Sequence, residues 1–446
     1  MSTTNQLFKS APDPTQKTTE FLDRTASQIE LLTNRIGQLF QERSICIIHL
    51  SQFQKDYTQM RDIYNNLKQN AQGLETTKNI APQSPVITQQ KVFPPKSPVL
   101  TQKNDSLMPS EINESKQFSI KELSWNLSAV NSEKYGIKLK YALNIGNVVT
   151  SIHFDNPGEN IAFIDNQYLS VVDSFKGSVV FSAELPHPTG CCDIHTRVMS
   201  FSKNGSMIAT STAGSSIAIY SMITKQLIKC LDGHTCTVSS LLFLSDNKTL
   251  VSGGYDGYIC IWDISNFSLV KRIPHGQLNM ETKQNKDGAI VSLIESKGEE
   301  FIGVGFVNGT VGIYEPQFEQ SMNSFSAHSE ILLSVSSVPF DGAIATTSHD
   351  KTAKIWTLMG AAKCRKTLSG HSDFVLCSSF SPFGPLMLTG SKDETVKGWN
   401  YLTGEELFSL KAHTNTVFGI DHHPTKRMFT TCSGDGIVCV WEYSEP

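Results

Sequence analysis

Apolar side chains recur at intervals of three and four from Leu22 to Leu67. With heptad position a at Leu22, the later a positions are Ile29, Ile36, Arg43, Leu50, Tyr57 and Tyr64. The d positions are Thr25, Leu32, Leu39, Cys46, Phe53, Met60 and Leu67. Only Arg43 and Thr25 break the seam, and no proline interrupts it. A repeat held this long is that of a coiled-coil helix, placed at residues 19–70 and about 70 Å long. Phe40 and Ile47 at e, with Phe21 and Ile63 at g, make the stripe wider than a two-stranded seam needs. That width favours more than two helices, a tetramer first. The other reading is a single helix lying on the chain's own globular domain, which a helix of this length would overhang. Residues 1–18 are polar and read as a flexible N-terminus.

The helical period stops near residue 71. From there to residue 130 the chain is rich in Pro, Ser, Gln, Lys and Asn, a linker composition that buries little apolar surface. Within it Ser84-Pro85-Val86-Ile87-Thr88-Gln89 recurs as Ser97-Pro98-Val99-Leu100-Thr101-Gln102. These are sites for a proline-directed kinase, a docking motif, or plain spacer.

From 131 to 446 short strand-like runs alternate with turn residues, and a longer repeat orders them. Its anchors are Tyr220, Trp262, Tyr314, Trp356, Trp399 and Trp441, at intervals of 42, 52, 42, 43 and 42 residues. A seventh, degenerate unit ends near Val172-Asp173. A period of this length with a Trp-Asp-like end is the signature of a β-propeller blade, and seven units make a seven-bladed WD-repeat propeller, an all-β fold.

Each unit except the first opens on a histidine: His187, His234, His275, His328, His371 and His413. Four units hold a full set: His234, Ser252, Asp256 and Trp262; His328, Thr346, Asp350 and Trp356; His371, Thr389, Asp393 and Trp399; His413, Thr431, Asp435 and Trp441. Each Asp lies six residues before its Trp, and each hydroxyl four before its Asp. An indole N–H buried in a blade needs an acceptor, the hydroxyl supplies it, and the imidazole links hydroxyl to carboxylate. Ser, His and Asp together also resemble a hydrolase triad. Fourfold recurrence at fixed spacing decides for structure, because an enzyme needs one site and not four. The second blade has Gly214 and Tyr220, the fourth has Asn308, Tyr314 and an insertion around 276–288, and the first lacks the set altogether. Packing of apolar strands should hold these three.

The last blade has no residues left for a fourth strand after Trp441. Ile137, Leu139, Tyr141 and Leu143 alternate with period two just upstream. They are expected to pair with the strand around Val438–Trp441 and close the ring.

Composition narrows the function. The net charge is −4 and 18% of residues are charged, which argues against a surface built to neutralise phosphates. No direct sequence-specific nucleic-acid binding is expected. Ten cysteines form no CxxC pair and read as small buried apolar residues in a reducing compartment. No metal or other cofactor is expected. No signal-peptide core and no membrane-length apolar run stands out, so a soluble intracellular chain is expected, with no membrane partner. His422-His423-Pro424 reads as a loop of the last blade rather than a metal site. No GxxxxGK[ST], HExxH or GxSxG motif occurs, and Gly303-Val304-Gly305 with Gly309 misses dinucleotide spacing. The chain is expected not to be an enzyme.

Gly370-His371-Ser372-Asp373-Phe374-Val375-Leu376, Thr389-Gly390-Ser391-Lys392-Asp393, Ser433-Gly434-Asp435 and Trp441-Glu442-Tyr443 resemble the WD-repeat family. More narrowly, they resemble the fungal Tup-type general co-repressors and, more distantly, Groucho. The order of parts agrees: an oligomerising helix, a polar linker, then seven blades. The resemblance implies a nuclear co-repressor scaffold. Its stalk would hold a tetratricopeptide-type adaptor, and its propeller would meet DNA-bound repressors and histone tails. The alternative is a cytoplasmic or spliceosomal coiled-coil adaptor of the autophagy or ubiquitin-ligase kind. The residues before the helix leave no room for a U-box.

Partner binding is expected on the narrow end of the propeller around its central channel. Aligning the repeats places His195, Arg197, Tyr255, Ile331, Leu333, His349, Phe374, Leu376, Lys392 and Phe418 there, at the start of inner strands or just before the turn Asp. Aromatic and apolar side chains at solvent-facing positions mark an interface. The competing reading has Leu333 and Leu376 lining the channel and packing on one another.

Overall fold

A computed structural model of the chain describes residues 118–129, 135–186, 198–275, 288–339, 341–358 and 360–444. The helix expected at 19–70, with its seam residues, and the Ser-Pro repeats lie outside the described residues, as do His187, His195 and Arg197. Seven antiparallel sheets follow one another along the chain. We number them as blades 1 to 7: residues 149–184, 199–231, 238–274, 290–326, 332–369, 375–411 and 417–444. The sequence period predicts seven such units, and they form a seven-bladed β-propeller. In every blade the first strand is innermost and later strands step outward.

The core explains why the strands read as they do. Seven apolar clusters are buried, and each is shared by two neighbouring blades. Phe163 and Phe181 of blade 1, for example, pack with Ile208 and Tyr220 of blade 2. A blade is thus covered on both faces, so its second strand is buried throughout, as in Ile344–Ser348 and Leu386–Ser391. Alternation survives only toward the outer edge. The inner strands of every blade but the second carry a register shift after their first residue, as between Val238 and Ser240 or Val375 and Cys377. Bulges of this kind add local twist.

Three strands precede blade 1: β1 (Ser119–Ile120), β2 (Asn126–Ala129) and β3 (Gly136–Asn144). β3 is the fourth strand of blade 7, with Leu139 opposite Trp441, Tyr141 opposite Val440 and Leu143 opposite Val438. The ring is closed by the strand that the alternation marks. The alternation puts its four apolar residues on one face, and here the structure differs. A bulge between Leu139 and Tyr141 splits them. Ile137 and Leu139 pack between blades 6 and 7, whereas Tyr141 and Leu143 pack between blades 7 and 1. β1 and β2 fall inside the stretch read as linker, 71–130. Short and without a long apolar period, they are stabilised by pairing with edges, and by packing on apolar clusters, that the rest of the chain supplies.

Candidate partner-binding surface

Blades 3, 5, 6 and 7 bring their four-residue sets together. Trp262, Trp356, Trp399 and Trp441 donate the indole N–H to the hydroxyl of Ser252, Thr346, Thr389 and Thr431 at 2.8–3.2 Å. The same hydroxyls lie 2.7–2.9 Å from Nε2 of His234, His328, His371 and His413. Nδ1 of each imidazole lies 2.7–3.1 Å from a carboxylate oxygen of Asp256, Asp350, Asp393 or Asp435. Tryptophan can only donate, so the hydroxyl accepts from it and donates its own proton to Nε2. Nδ1–H then donates to the carboxylate. In three blades the carboxylate also accepts the backbone N–H of the residue after the histidine, Thr235, Ser372 or Thr414, each at 2.9 Å. Burial opposes ionisation of these four aspartates. The hydrogen bonds and charges around them outweigh it and hold all four carboxyls below the usual carboxylate range. Arg272 adds a cation to the blade 3 set, 3.3 Å from Asp256 and stacked 3.8 Å over the Tyr258 ring.

The divergent blades keep fragments of this chain. In blade 4 the Tyr314 hydroxyl meets His275 Nδ1 at 3.0 Å, and the imidazole stacks on Phe306 with centroids 3.6 Å apart. Asn308 still accepts from Thr310 N and Oγ1, at 3.1 and 2.6 Å, as Asp393 does from Thr395. Asparagine therefore keeps the turn but cannot hold the imidazole as a carboxylate does. In blade 2 Tyr220 is fully buried, and its hydroxyl donates to Glu184 O at 3.3 Å.

A second set of bonds, which the spacing of the tetrads does not reveal, joins blade to blade. Ser200 Oγ accepts from Phe243 N, Ser240 Oγ from Leu293 N, Ser292 Oγ from Val335 N and Ser379 Oγ from His422 N, at 2.8–3.1 Å. Ser336 and Ser378 hydroxyls meet at 2.7 Å, and Asp421 accepts from Phe154 N at 2.9 Å across the ring closure. The sequence signal was polar residues, often paired as in Ser239-Ser240 and Ser378-Ser379, inside strands otherwise apolar.

In blades 3, 5, 6 and 7 the turns and tetrads fix one end of the blade. There the residue before the turn Asp is bonded to the residue that precedes the inner strand. Tyr255 N donates to Thr237 O, His349 N to Ile331 O and Lys392 N to Phe374 O, at 2.9–3.0 Å. The two sets of positions aligned from the repeats are therefore neighbours in space. Tyr255 and Ile331 are 37% and 38% exposed, so they are open to a partner. His349 of blade 5 lies flat on Phe374 of blade 6, centroids 3.9 Å apart and planes within 8°. Lys392 Nζ sits 4.8 Å from the centroid of that ring and 3.7 Å from Asp373. Burial lowers the His349 pKa, which favours the neutral form of the stacked ring.

Leu333, Leu376 and Phe418 differ from the expected exposed cluster. With Val291 they line the central channel, a cavity of about 600 Å³ walled by the inner strands of all seven blades. Each of the four sits at the register shift that opens its inner strand, on the channel side. Among the described residues no cluster of three or more His, Cys, Asp or Glu could hold a metal ion.

Residues 225–263, 319–357, 362–400 and 404–442 match the WD40 family of WD domain, G-beta repeats. Each matched segment runs from the outer strand of one blade through the three inner strands of the next, so the four segments end in blades 3, 5, 6 and 7, those with complete tetrads; blades 1, 2 and 4 share their sheet order. The domain is a seven-bladed propeller of WD40 repeats. Two relatives are similar over shorter stretches. A p21-activated protein kinase-interacting protein 1-like of Danio rerio is 26% identical over 154 residues, 31% of this chain and 42% of that protein. A CCR4-associated factor 4 homolog of Candida glabrata is 24% identical over 96 residues, 21% of this chain and 17% of that protein. The chain thus spans less than half the length of either. A WD40 propeller is a rigid, typically non-enzymatic platform for protein–protein interaction.

Proposed function

We propose that this chain is a scaffold whose propeller holds peptide segments of other proteins on the surface spanning blades 5 and 6. The observation that carries the reading is the His349–Phe374 stack with Lys392 against it and Ile331 exposed beside it. A ring fixed from two blades loses little entropy on binding, as an interface anchor should. Tyr255 extends the surface toward blade 3. The specific version is a nuclear co-repressor. Its helix oligomerises the chain, to a tetramer first, and its propeller meets repressors and histone tails, with a tetratricopeptide-type adaptor on the stalk. The order of helix, linker and propeller supports it, together with the likeness of the blade 6 and 7 motifs to the Tup type. A second reading, an adaptor that joins proteins without repressing transcription, draws support from the names of the two relatives, one a kinase-interacting protein and the other a factor associated with CCR4.

The test couples binding to outcome. Full-length chain, wild type or Phe374→Ala, is fused to a DNA-binding domain and tethered upstream of a reporter. Partners are quantified in parallel by affinity purification. The scaffold reading expects Phe374→Ala to weaken recovery of partners, by about 1–3 kcal/mol if Phe374 is a hot spot, while Val270→Ala on the outer rim does not. The co-repressor version expects the wild type to lower transcription and the variant to lower it less. Binding that depends on Phe374 without any fall in transcription leaves the adaptor reading.

A further inference from the structure

Residues 118–129 lie outside the seven repeats, yet they touch three blades in turn. Phe118 packs against Phe163 of blade 1, ring centroids 5.4 Å apart. β1 adds a fifth strand to blade 7, with Ser119 opposite Asn144 and Ile120 opposite Leu143 of β3. Lys121 N then donates to Ala142 O at 2.9 Å. Trp125 meets Trp441 edge-on at 5.5 Å, resting on the indole whose N–H completes the blade 7 tetrad. β2 adds a fifth strand to blade 6, from Asn126 opposite Lys411 to Ala129 opposite Phe408. Leu123, Trp125 and Leu127 pack onto the cluster between blades 6 and 7. Among the described residues the other five blades have four strands and no such addition.

A propeller has one junction made from the two ends of its chain. Here it is blade 7, where β3 pairs with Ile437–Ser444. Opening the ring requires β3 to leave. We propose that residues 118–129 are a second clasp, locking β3 in place by binding its outer edge and the neighbouring blade 6 at once. β3 can peel away only if β1, Trp125 and β2 are stripped with it. Closure then depends on apolar contacts of a segment that no repeat contains. The two added strands also cover blade edges at the seam, where an open edge invites pairing with another chain.

Hydrogen exchange on the full chain tests the clasp, read by mass spectrometry in three segments. In Trp125→Ala, exchange in 136–144 and 437–444 should rise about tenfold over wild type, while 258–263 in blade 3 stays unchanged. Leu127→Ala, a milder change that keeps Trp125, should give the same pattern at smaller amplitude. It carries the test should Trp125→Ala fail to fold. Unchanged exchange in 136–144 and 437–444 while 126–129 exchange freely would overturn the proposal, since closure would then rest on β3 alone. An equal rise in 258–263 would also overturn it, because the segment would be stabilising the whole ring rather than its seam.

Discussion

Thr389→Val isolates what a tetrad is worth. Thr389 is fully buried in blade 6 and sits between two partners at 2.8 Å, Trp399 Nε1 and His371 Nε2. Valine has nearly the same shape, so no cavity opens and the change is chemical. Two net hydrogen bonds are lost, at roughly 1 kcal/mol each, and a buried indole N–H and an imidazole nitrogen are left without partners, adding about 1–3 kcal/mol. The expected destabilisation is about 3–5 kcal/mol. Thr389→Ser keeps the hydroxyl and should cost about 1 kcal/mol from the missing methyl. Thermal melts of the full chain would rank the variants, and hydrogen exchange at 386–391 would assign the loss to blade 6. A double-mutant cycle with Trp399→Phe should show coupling of about 1 kcal/mol, because each change removes the same indole bond. If Thr389→Val melted with the wild type, or no more than Thr389→Ser, the hydrogen-bond chain would not be what holds the blade.

Other consequences follow from packing and protonation. A Cβ on Gly305 would lie 2.4 Å from Leu332 and 2.7 Å from Val335, so Gly305→Ala should destabilise by about 1–3 kcal/mol through overpacking; a melt equal to that of wild type contradicts this. Ser240→Ala strips the acceptor from Leu293 N, 2.8 Å away, and should cost about 1–2 kcal/mol in chemical denaturation, whereas loss of nothing would mean the inter-blade serines are idle. His422 is buried against Phe429 and Tyr443, and desolvation lowers its pKa from 6.5 to about 4. Above the unfolded value both states are neutral; as pH falls toward the folded value only the unfolded chain takes up the proton, so about 3 kcal/mol is lost between pH 6.5 and 4. His422→Asn, which can still bond Ser379, should flatten that slope in denaturation measured across the window, and an unchanged slope would assign the acid loss to other groups.

The period of about 42 residues and the His, hydroxyl, Asp, Trp spacing made blades 3, 5, 6 and 7 legible, because these bonds are local and recur at fixed offsets. Ring closure was legible for a topological reason: a blade lacking its fourth strand must take one from upstream. Residues 118–129 were not legible. Asn126-Leu127-Ser128-Ala129 has no pattern of its own, and what makes it a strand is the unpaired edge at Glu405–Lys411. The bulge in β3 was hidden for the same reason, since period two cannot show where a register slips. At the candidate surface, alignment brought together positions that are neighbours at one end of the blades, but it could not separate Ile331, which is exposed, from Leu333, which lines the channel. The stacking of His349 on Phe374 crosses a blade boundary, and no repeat within a blade encodes it.

The central claim, that other proteins are held on the surface of blades 5 and 6, is tested most directly by site-specific photocrosslinking in living cells. The full chain would carry p-benzoylphenylalanine in place of Phe374, Tyr255 or, as an outer-rim control, Val270, which is 64% exposed. Crosslinked peptides would then be identified by mass spectrometry. The account predicts that the first two positions capture defined peptides of other proteins, reproducibly and with apolar residues at the point of attachment, and that Val270 captures none of them. Capture of those same peptides from Val270, with nothing from Phe374 or Tyr255, would place the binding surface on the rim and contradict the account.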